Sequence, residues 1–335
     1  MKHRFRYLET MLYESDADPV GLPDGVTFLS DTKNDLLDSV VDKISRTFIN
    51  EGYGKVLPPI FEYYETFEKG SGYNIARKAF SFKDKDGKLL SLRYDMTTPI
   101  ARMISMKYDK EDLPLKFYYR GDVFREQPIH AGKPRQLRQV GVEYIGEGDI
   151  CADIEVINLA GRSLAALSDN YKLVLGDIRL FKNLVSQLKM NESQTKAVSA
   201  AFNIKDTVSL EKILADVEGI ADYKRFLLKL PYMTGSIEKV LKLMDEFSEL
   251  GFEFYYERLK KIVDGLDKDI KKNIIVDMGL VKDFSYYTST TIEGYVEGVG
   301  YPVANGGRYD ELFRAFGKDF PSIGFALDIS YYQYK

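Results

Sequence analysis

A chain of 335 residues with 47 basic and 51 acidic side chains, a formal net charge of −4, 44% hydrophobic and 29% charged residues reads as a soluble globular protein of one large or two ordinary domains. Collagen-like, disordered and coiled-coil chains are excluded, and no apolar run approaches the roughly 18 residues of a membrane helix. The acidic balance offers no broad footprint for nonspecific nucleic-acid binding. Cys151 is the only cysteine, and His3 and His130 are the only histidines. An intrachain disulfide is impossible, structural zinc lacks a ligand set, and Cys–His or Ser–His–Asp catalysis is remote. The opening MKHRFRYLETMLYESD mixes both signs of charge and lacks the apolar core of a signal peptide, so a cytoplasmic location is expected.

In chain order, the first strong element is a helix over 31–52, where Leu37, Val40, Val41, Ile44 and Phe48 recur at helical spacing. Asp31 suits its start and Gly52 its end. LPPI then reads as a short strand, with Pro58 and Pro59 confined to a sheet edge or subunit contact. AFSFKDKDGKLLSLRYDMTTP predicts a hairpin turning at Asp86-Gly87. LKFYYRGDVFR and RQLRQVGVEYIG predict a second antiparallel pair, their linker being too short for a crossover helix. Cys151 falls in an expected helix, where a buried, inert thiol is the reading.

From Ile178 to about Lys268 the texture changes to charged amphipathic helices, read as a helical insertion. Sheet signals return in NIIVDMG, YYTSTTIEGYVEG and SIGFALD. The division is therefore 1–177 and 269–335 as two parts of one core, with 178–268 inserted. Hairpin-linked strands make the class α+β, an antiparallel sheet flanked by helices.

Alternation along RQVGVEYIG sends Gln139, Gly141 and Glu143 to one face and Arg138, Val140, Val142 and Tyr144 to the other. The first face fits two readings. An amide, a bare glycine and a carboxylate in a row suit a pocket floor where a ligand lies against the backbone, and they equally suit a solvated face. Arg125 ends the neighbouring strand, either facing those acceptors or ion-paired at an edge. Gly306-Gly307 in ANGGRYD is either a close approach to a ligand or a plain turn into a helix. Neither a P-loop nor a dinucleotide fingerprint occurs.

These segments carry a resemblance. LPDGV, FSFKDKDGKLLSLRYDMTTP, YYRGDVFREQPIHAGKPRQLRQVGVEYIG, VKDFSYYTSTTIE and ANGGRYDEL follow the order and spacing of the histidyl-tRNA synthetase catalytic core. The resemblance implies a class II synthetase-like antiparallel core. Carried over by position, Asp95, Thr97 and Gln139 would hold the ammonium of L-histidine, and Arg125 would face its carboxylate. Glu143 and Tyr287 would hold the imidazole nitrogens, and Tyr309 would line the pocket. A zwitterion needs acceptors at one end and a cation at the other, which these residue types supply.

The departures point away from catalysis. Where the family has an arginine, glycine and leucine before an aspartate, this chain has Lys282, Asp283, Phe284 and Ser285, and lysine cannot make a bidentate clamp on carboxylate and phosphate. Gln127 takes the place of the adenine-reading glutamate, and Ser330 and Tyr331 stand at the glutamate and arginine positions of motif 3. With the chain reaching only Lys335, no anticodon-binding domain is expected.

That combination resembles the synthetase paralogue known as the regulatory subunit of ATP phosphoribosyltransferase. The resemblance implies a non-catalytic chain without metal or cofactor, with Lys282 among the effector-binding positions. The partner would be the short-form transferase catalytic subunit. A homodimer formed through the first helix and the LPP strand, inside a hetero-octamer, is implied, as are histidine feedback and no tRNA. The alternatives are a synthetase-like amino-acid adenylating or ligating enzyme, and a histidine sensor with another partner.

Overall fold

The computed structural model describes residues 21–23, 25–26, 31–72, 76–126, 134–281 and 286–330. Lys282, Gln127 and Tyr331 lie outside the described residues, as does the side chain of Asp31.

Helix α1 runs Asp31–Asn50. It ends where Gly52 adopts φ +84°, with Gly52 N–H on the Ile49 carbonyl and Tyr53 N–H on that of Phe48. This pair of bonds is the glycine-terminated helix end expected of the sequence. Strand β1 is only Gly54–Lys55, and β2 is Phe61–Tyr63, so Leu57-Pro58-Pro59 is a link between two sheets rather than a strand. The reason is chemical: two prolines bring no N–H to a ladder. Their carbonyls are used instead by buried Arg93, whose Nη1 donates to Pro58 O at 2.7 Å.

Helix α2 (Tyr64–Ser71) follows, then the hairpin β3 (Ser81–Lys83) and β4 (Leu89–Leu92). Its turn is wider than a two-residue Asp-Gly turn. Gly87 N–H bonds Asp84 O and Asp84 N–H bonds Lys88 O, with Gly87 at φ +80°, a type I turn closed by a glycine bulge. Strands β2, β4 and β3 form a small sheet. Helix α3 spans Thr97–Lys107.

The long strands β5 (Leu115–Phe124) and β6 (Gln136–Ile145) pair antiparallel, and helix α4 (Ile150–Ala165) leads to β7 (Tyr171–Asp177). Cys151 is exposed on α4, which corrects the expectation of a buried thiol: it sits in the first turn, on the solvent side of a helix whose apolar stripe is Val156, Leu159, Ala160 and Leu164.

Seven helices then run α5 (Ile178–Gln187), α6 (Glu192–Asn203), α7 (Thr207–Ala215), α8 (Lys224–Lys229), α9 (Ile237–Asp245), α10 (Glu253–Gly265) and α11 (Lys268–Lys271). Between them β8 (Thr234–Gly235) pairs with β9 (Ile274–Asp277), a strand too short to leave an alternation in the sequence. Strands β10 (Thr290–Val296), β11 (Ala304–Arg308) and β12 (Ser322–Asp328) complete the sheet.

The large sheet has nine strands in the order β1-β5-β6-β12-β11-β10-β7-β9-β8. It is antiparallel except for β1 with β5 and β7 with β9. The α+β class with a mainly antiparallel sheet flanked by helices is therefore observed. One face carries Val140, Val142 and Tyr144 into a core shared with α1, α4 and the helices of 178–271. The other packs Tyr119, Leu137 and Ile145 beneath α3 and a 3-10 helix at Leu312–Phe316. The face bearing Gln139, Gly141 and Glu143 is thus covered, and the solvated alternative is excluded. Among the described residues no helix is long and apolar enough to cross a membrane.

Candidate functional site

Between that second face and α3 lies a cavity of about 240 Å³. It is smaller than the roughly 300–1,000 Å³ of pockets for drug-sized ligands, a size that suits only a small molecule. Asp95, Thr97, Arg125, Gln139, Tyr287 and Tyr309 all line it. The chain brings them together from five separate segments.

Asp95 caps α3, its Oδ1 accepting from Thr98 N–H at 2.9 Å. It stands one residue before the N-cap, Met96, where a carboxylate is favoured by the free N–H groups and the positive end of the helix dipole. Its Oδ2 accepts from Thr98 Oγ1 at 3.1 Å and Ser71 Oγ at 3.2 Å. Burial raises the Asp95 carboxyl above its ordinary range, against the pull of Thr98 and of the Arg125 charge.

Glu143 stands behind the cavity wall rather than on it. Thr97 Oγ1 donates to Oε1 at 2.7 Å, and the Tyr309 hydroxyl donates to Oε2. Buried to 2% exposure, the carboxyl is pushed up to about 8 by desolvation, although both hydroxyls favour its ionised form. Arg125 is oriented by the Tyr94 carbonyl, 3.2 Å from Nε, and its guanidinium lies 4.8 Å from the Tyr94 ring centre. Cation–π packing of this kind holds the side chain without consuming its charge.

Tyr287 packs beside Gly307, where a Cβ would come within 2.8 Å of the ring. Tyr286 stacks edge-on between Tyr287 and Tyr309, at 5.0 and 5.9 Å. From α5, Lys182 Nζ donates to the Tyr287 carbonyl at 2.6 Å, so a helix of the 178–271 segment helps to place this ring.

Two expectations change. Gly306-Gly307 lies inside β11, not in a turn; Gly306 lines the cavity, and a Cβ there would meet Gly324 O at 2.5 Å on the adjacent strand. At Gly141 the open space is taken by the protein itself: a Cβ would sit 2.2 Å from Phe325 O and 2.5 Å from the Tyr119 hydroxyl. The glycine admits Tyr119, not a ligand.

Sequence reasoning missed Tyr119, Tyr286, Asn305 and Asp328, all of which line the cavity. Asp328 had a signal: in SIGFALD, Gly324, Ala326 and Asp328 alternate with Ile323, Phe325 and Leu327, repeating the small-and-polar pattern of β6.

Beneath the site lies a buried ion cluster. Arg308 Nη2 meets Asp153 Oδ2 at 2.5 Å, and Arg258 Nη2 from α10 meets the same oxygen at 2.9 Å. Asp153 Oδ1 accepts from Thr290 Oγ1 at 2.6 Å, and Arg308 Nη1 donates to Glu147 O at 2.8 Å. Arg308 immediately precedes Tyr309, so this cluster fixes the strand end that delivers the tyrosine to Glu143. Among the described residues no group of three or more His, Cys, Asp or Glu side chains could hold a metal ion.

A family model for histidyl-tRNA synthetase matches residues 25–331. The ATP phosphoribosyltransferase regulatory subunit of Moorella thermoacetica is 33% identical over 313 residues, 93% of this chain and 80% of that one. Its namesake from Caldanaerobacter subterraneus subsp. tengcongensis is 33% identical over 311 residues, 92% and 80% of the two chains. A Bacillus halodurans structure described as an ATP phosphoribosyltransferase regulatory subunit/histidyl-tRNA synthetase superposes with a TM-score of 0.84 at 26% identity, covering 95% of this chain and 84% of that one. A histidine–tRNA ligase subunit from Alicyclobacillus acidocaldarius gives 0.74 at 24% identity over 95% and 98% of the chains, a likeness of fold alone. With an antiparallel core of this topology and relatives at this identity along nearly its whole length, the chain belongs to the ATP phosphoribosyltransferase regulatory subunit family, on the histidyl-tRNA synthetase-like fold.

Proposed function

We propose that this chain is the non-catalytic regulatory subunit of a short-form ATP phosphoribosyltransferase, in the first step of histidine biosynthesis, and that it carries histidine feedback to the catalytic partner. The names of its relatives support the first part. The observation that carries the second is the cavity itself, where one guanidinium, Arg125, stands with Asp95, Thr97 and Gln139 in a space fit for a small zwitterion. Histidine would set its carboxylate on Arg125 and its ring among Tyr287, Tyr309 and the Glu143 hydroxyl relay. In this reading 178–268 is an insertion into the core, and Lys282 adds a cation to the effector site. The protein acts in the cytoplasm as a homodimer within a hetero-octamer, without tRNA.

The departures at Lys282, Gln127 and Tyr331 support a chain that binds an amino acid without activating it. Ser330, at the motif 3 glutamate position, is spent on structure: its Oγ accepts from Arg138 N–H at 2.7 Å. The test is reconstitution with a short-form catalytic subunit, assayed with and without this chain and with and without histidine. Activity independent of this chain, or indifferent to histidine, overturns the reading. Histidine-dependent pyrophosphate exchange at about 1 per second or faster would favour the adenylating enzyme instead.

A further inference from the structure

Asp328 on β12 stands opposite Gln139 on β6, and both side chains line the cavity. Their bonding separates them from the other polar groups of the site. Both oxygens of Asp95 accept from Ser71 or Thr98, and both of Glu143 from Thr97 or Tyr309. Asp328 is held by Ser330 alone, its Oδ1 accepting from the Ser330 N–H at 2.9 Å with the Ser330 hydroxyl close by. Among the described residues its Oδ2 accepts no hydrogen bond, and the Gln139 amide makes none although Gln139 is 5% exposed. Both groups open onto the cavity, so what they lack within the protein they are placed to find in a donor held there.

The charge of the wall agrees. Among the described lining residues, two carboxylates, Asp95 and Asp328, face one guanidinium, Arg125, which leaves −1 when all are ionised. Burial raises the Asp328 carboxyl, against the pull of the Ser330 hydrogen bonds and of the Arg125 charge. In an α-amino acid the ammonium and carboxylate share one carbon. The acceptor of the ammonium must therefore share the cavity with the cation that takes the carboxylate, as Asp328 does.

We propose that Asp328, with the Gln139 amide oxygen beside it, is the ligand-facing acceptor of the primary ammonium of an amino-acid effector, while Asp95 serves mainly to cap α3. The inference rests on the effector reading above. Titration calorimetry on the full chain tests it with three probes: L-histidine, L-histidinol, which keeps the ammonium and lacks the carboxylate, and imidazolepropionate, which lacks the ammonium. Asp328→Asn retains an oxygen for the Ser330 N–H. It is expected to weaken histidine and histidinol by about tenfold or more and imidazolepropionate by less than about twofold. Gln139→Leu is expected to give the same pattern more weakly and serves if the first variant does not fold. Equal losses for all three probes, or none, overturn the assignment of Asp328. If the wild-type chain binds none of the three, the effector reading itself falls. Binding of histidine by wild type with an unchanged Asp328→Asn leaves that reading standing and removes only this residue.

Discussion

Tyr309 donates its hydroxyl hydrogen bond to Oε2 of Glu143, a carboxyl 2% exposed whose other oxygen already accepts from Thr97. The pair joins the end of β11 to the C-terminal part of β6 across β12. It sets the position of a cavity-lining ring by a group that is itself out of reach of solvent.

The first prediction concerns pH. Desolvation moves the Glu143 carboxyl from 4.5 up to about 8 in the folded chain. Between those values the native state holds a proton that the unfolded state has released. Its contribution to stability is therefore complete below about pH 4.5 and is lost as pH rises through about 8. The slope from this one group cannot exceed about 1.4 kcal/mol per pH unit. Glu143→Gln removes it, so urea denaturation at about pH 5, 6.5 and 8 should show a flatter dependence in the variant. Coincident slopes would remove Glu143 as the titrating group.

Arg125 offers a second measurement. Its guanidinium is positioned by the Tyr94 carbonyl and ring, on the cavity wall. Charge-assisted bonds to a carboxylate are worth about 1.5–3 kcal/mol, so Arg125→Ala should weaken histidine binding by about tenfold or more. Arg125→Lys should recover only part, because an ammonium cannot pair bidentately. Normal histidine binding by Arg125→Ala would place the carboxylate elsewhere.

The buried cluster predicts a loss of stability. Asp153 is fully buried and answers both Arg308 and Arg258, whose side chains are 2% and 15% exposed. Asp153→Ala leaves those cations without their carboxylate, a change that costs about 3–5 kcal/mol. Arg258→Ala should cost less, since Asp153 keeps Arg308 and Thr290. Denaturation midpoints for the two variants give the order, and a smaller loss for Asp153→Ala would contradict it.

Much of this architecture was written in periodicities. The alternation of Val140, Val142 and Tyr144 against Gln139, Gly141 and Glu143 gives two buried faces because each is matched by a separate core. Asp328 repeats that pattern on β12, yet its place beside Gln139 depends on a register between strands almost two hundred residues apart in the chain, which no local spacing encodes. Leu57-Pro58-Pro59 looked like a strand because its neighbours are apolar, whereas its geometry follows from Arg93, a contact set by the tertiary fold. Helix α10 appeared only as one of the charged amphipathic helices of the 178–268 segment. Its Arg258 reaches Asp153, and nothing in the helix's own sequence names that partner.

Gly141 supplies the last prediction, which separates two uses of one bare backbone position. A ligand lying against this glycine would be expelled by a methyl group while the fold stayed intact. In the structure the methyl would instead meet Phe325 O at 2.2 Å and the Tyr119 hydroxyl at 2.5 Å, both parts of the protein. Overpacking of a rigid interior costs about 1–3 kcal/mol, and the Phe325 carbonyl is a backbone atom of a central strand that has little room to yield. Gly141→Ala should therefore lower stability by at least that amount. Adding Tyr119→Phe, which removes the hydroxyl but leaves the carbonyl, should restore part of the loss and not all of it. A double-mutant cycle by urea denaturation reads this directly as a coupling between the two positions. Strict additivity, or a Gly141→Ala variant as stable as wild type but unable to bind histidine, would return the space above Gly141 to the ligand.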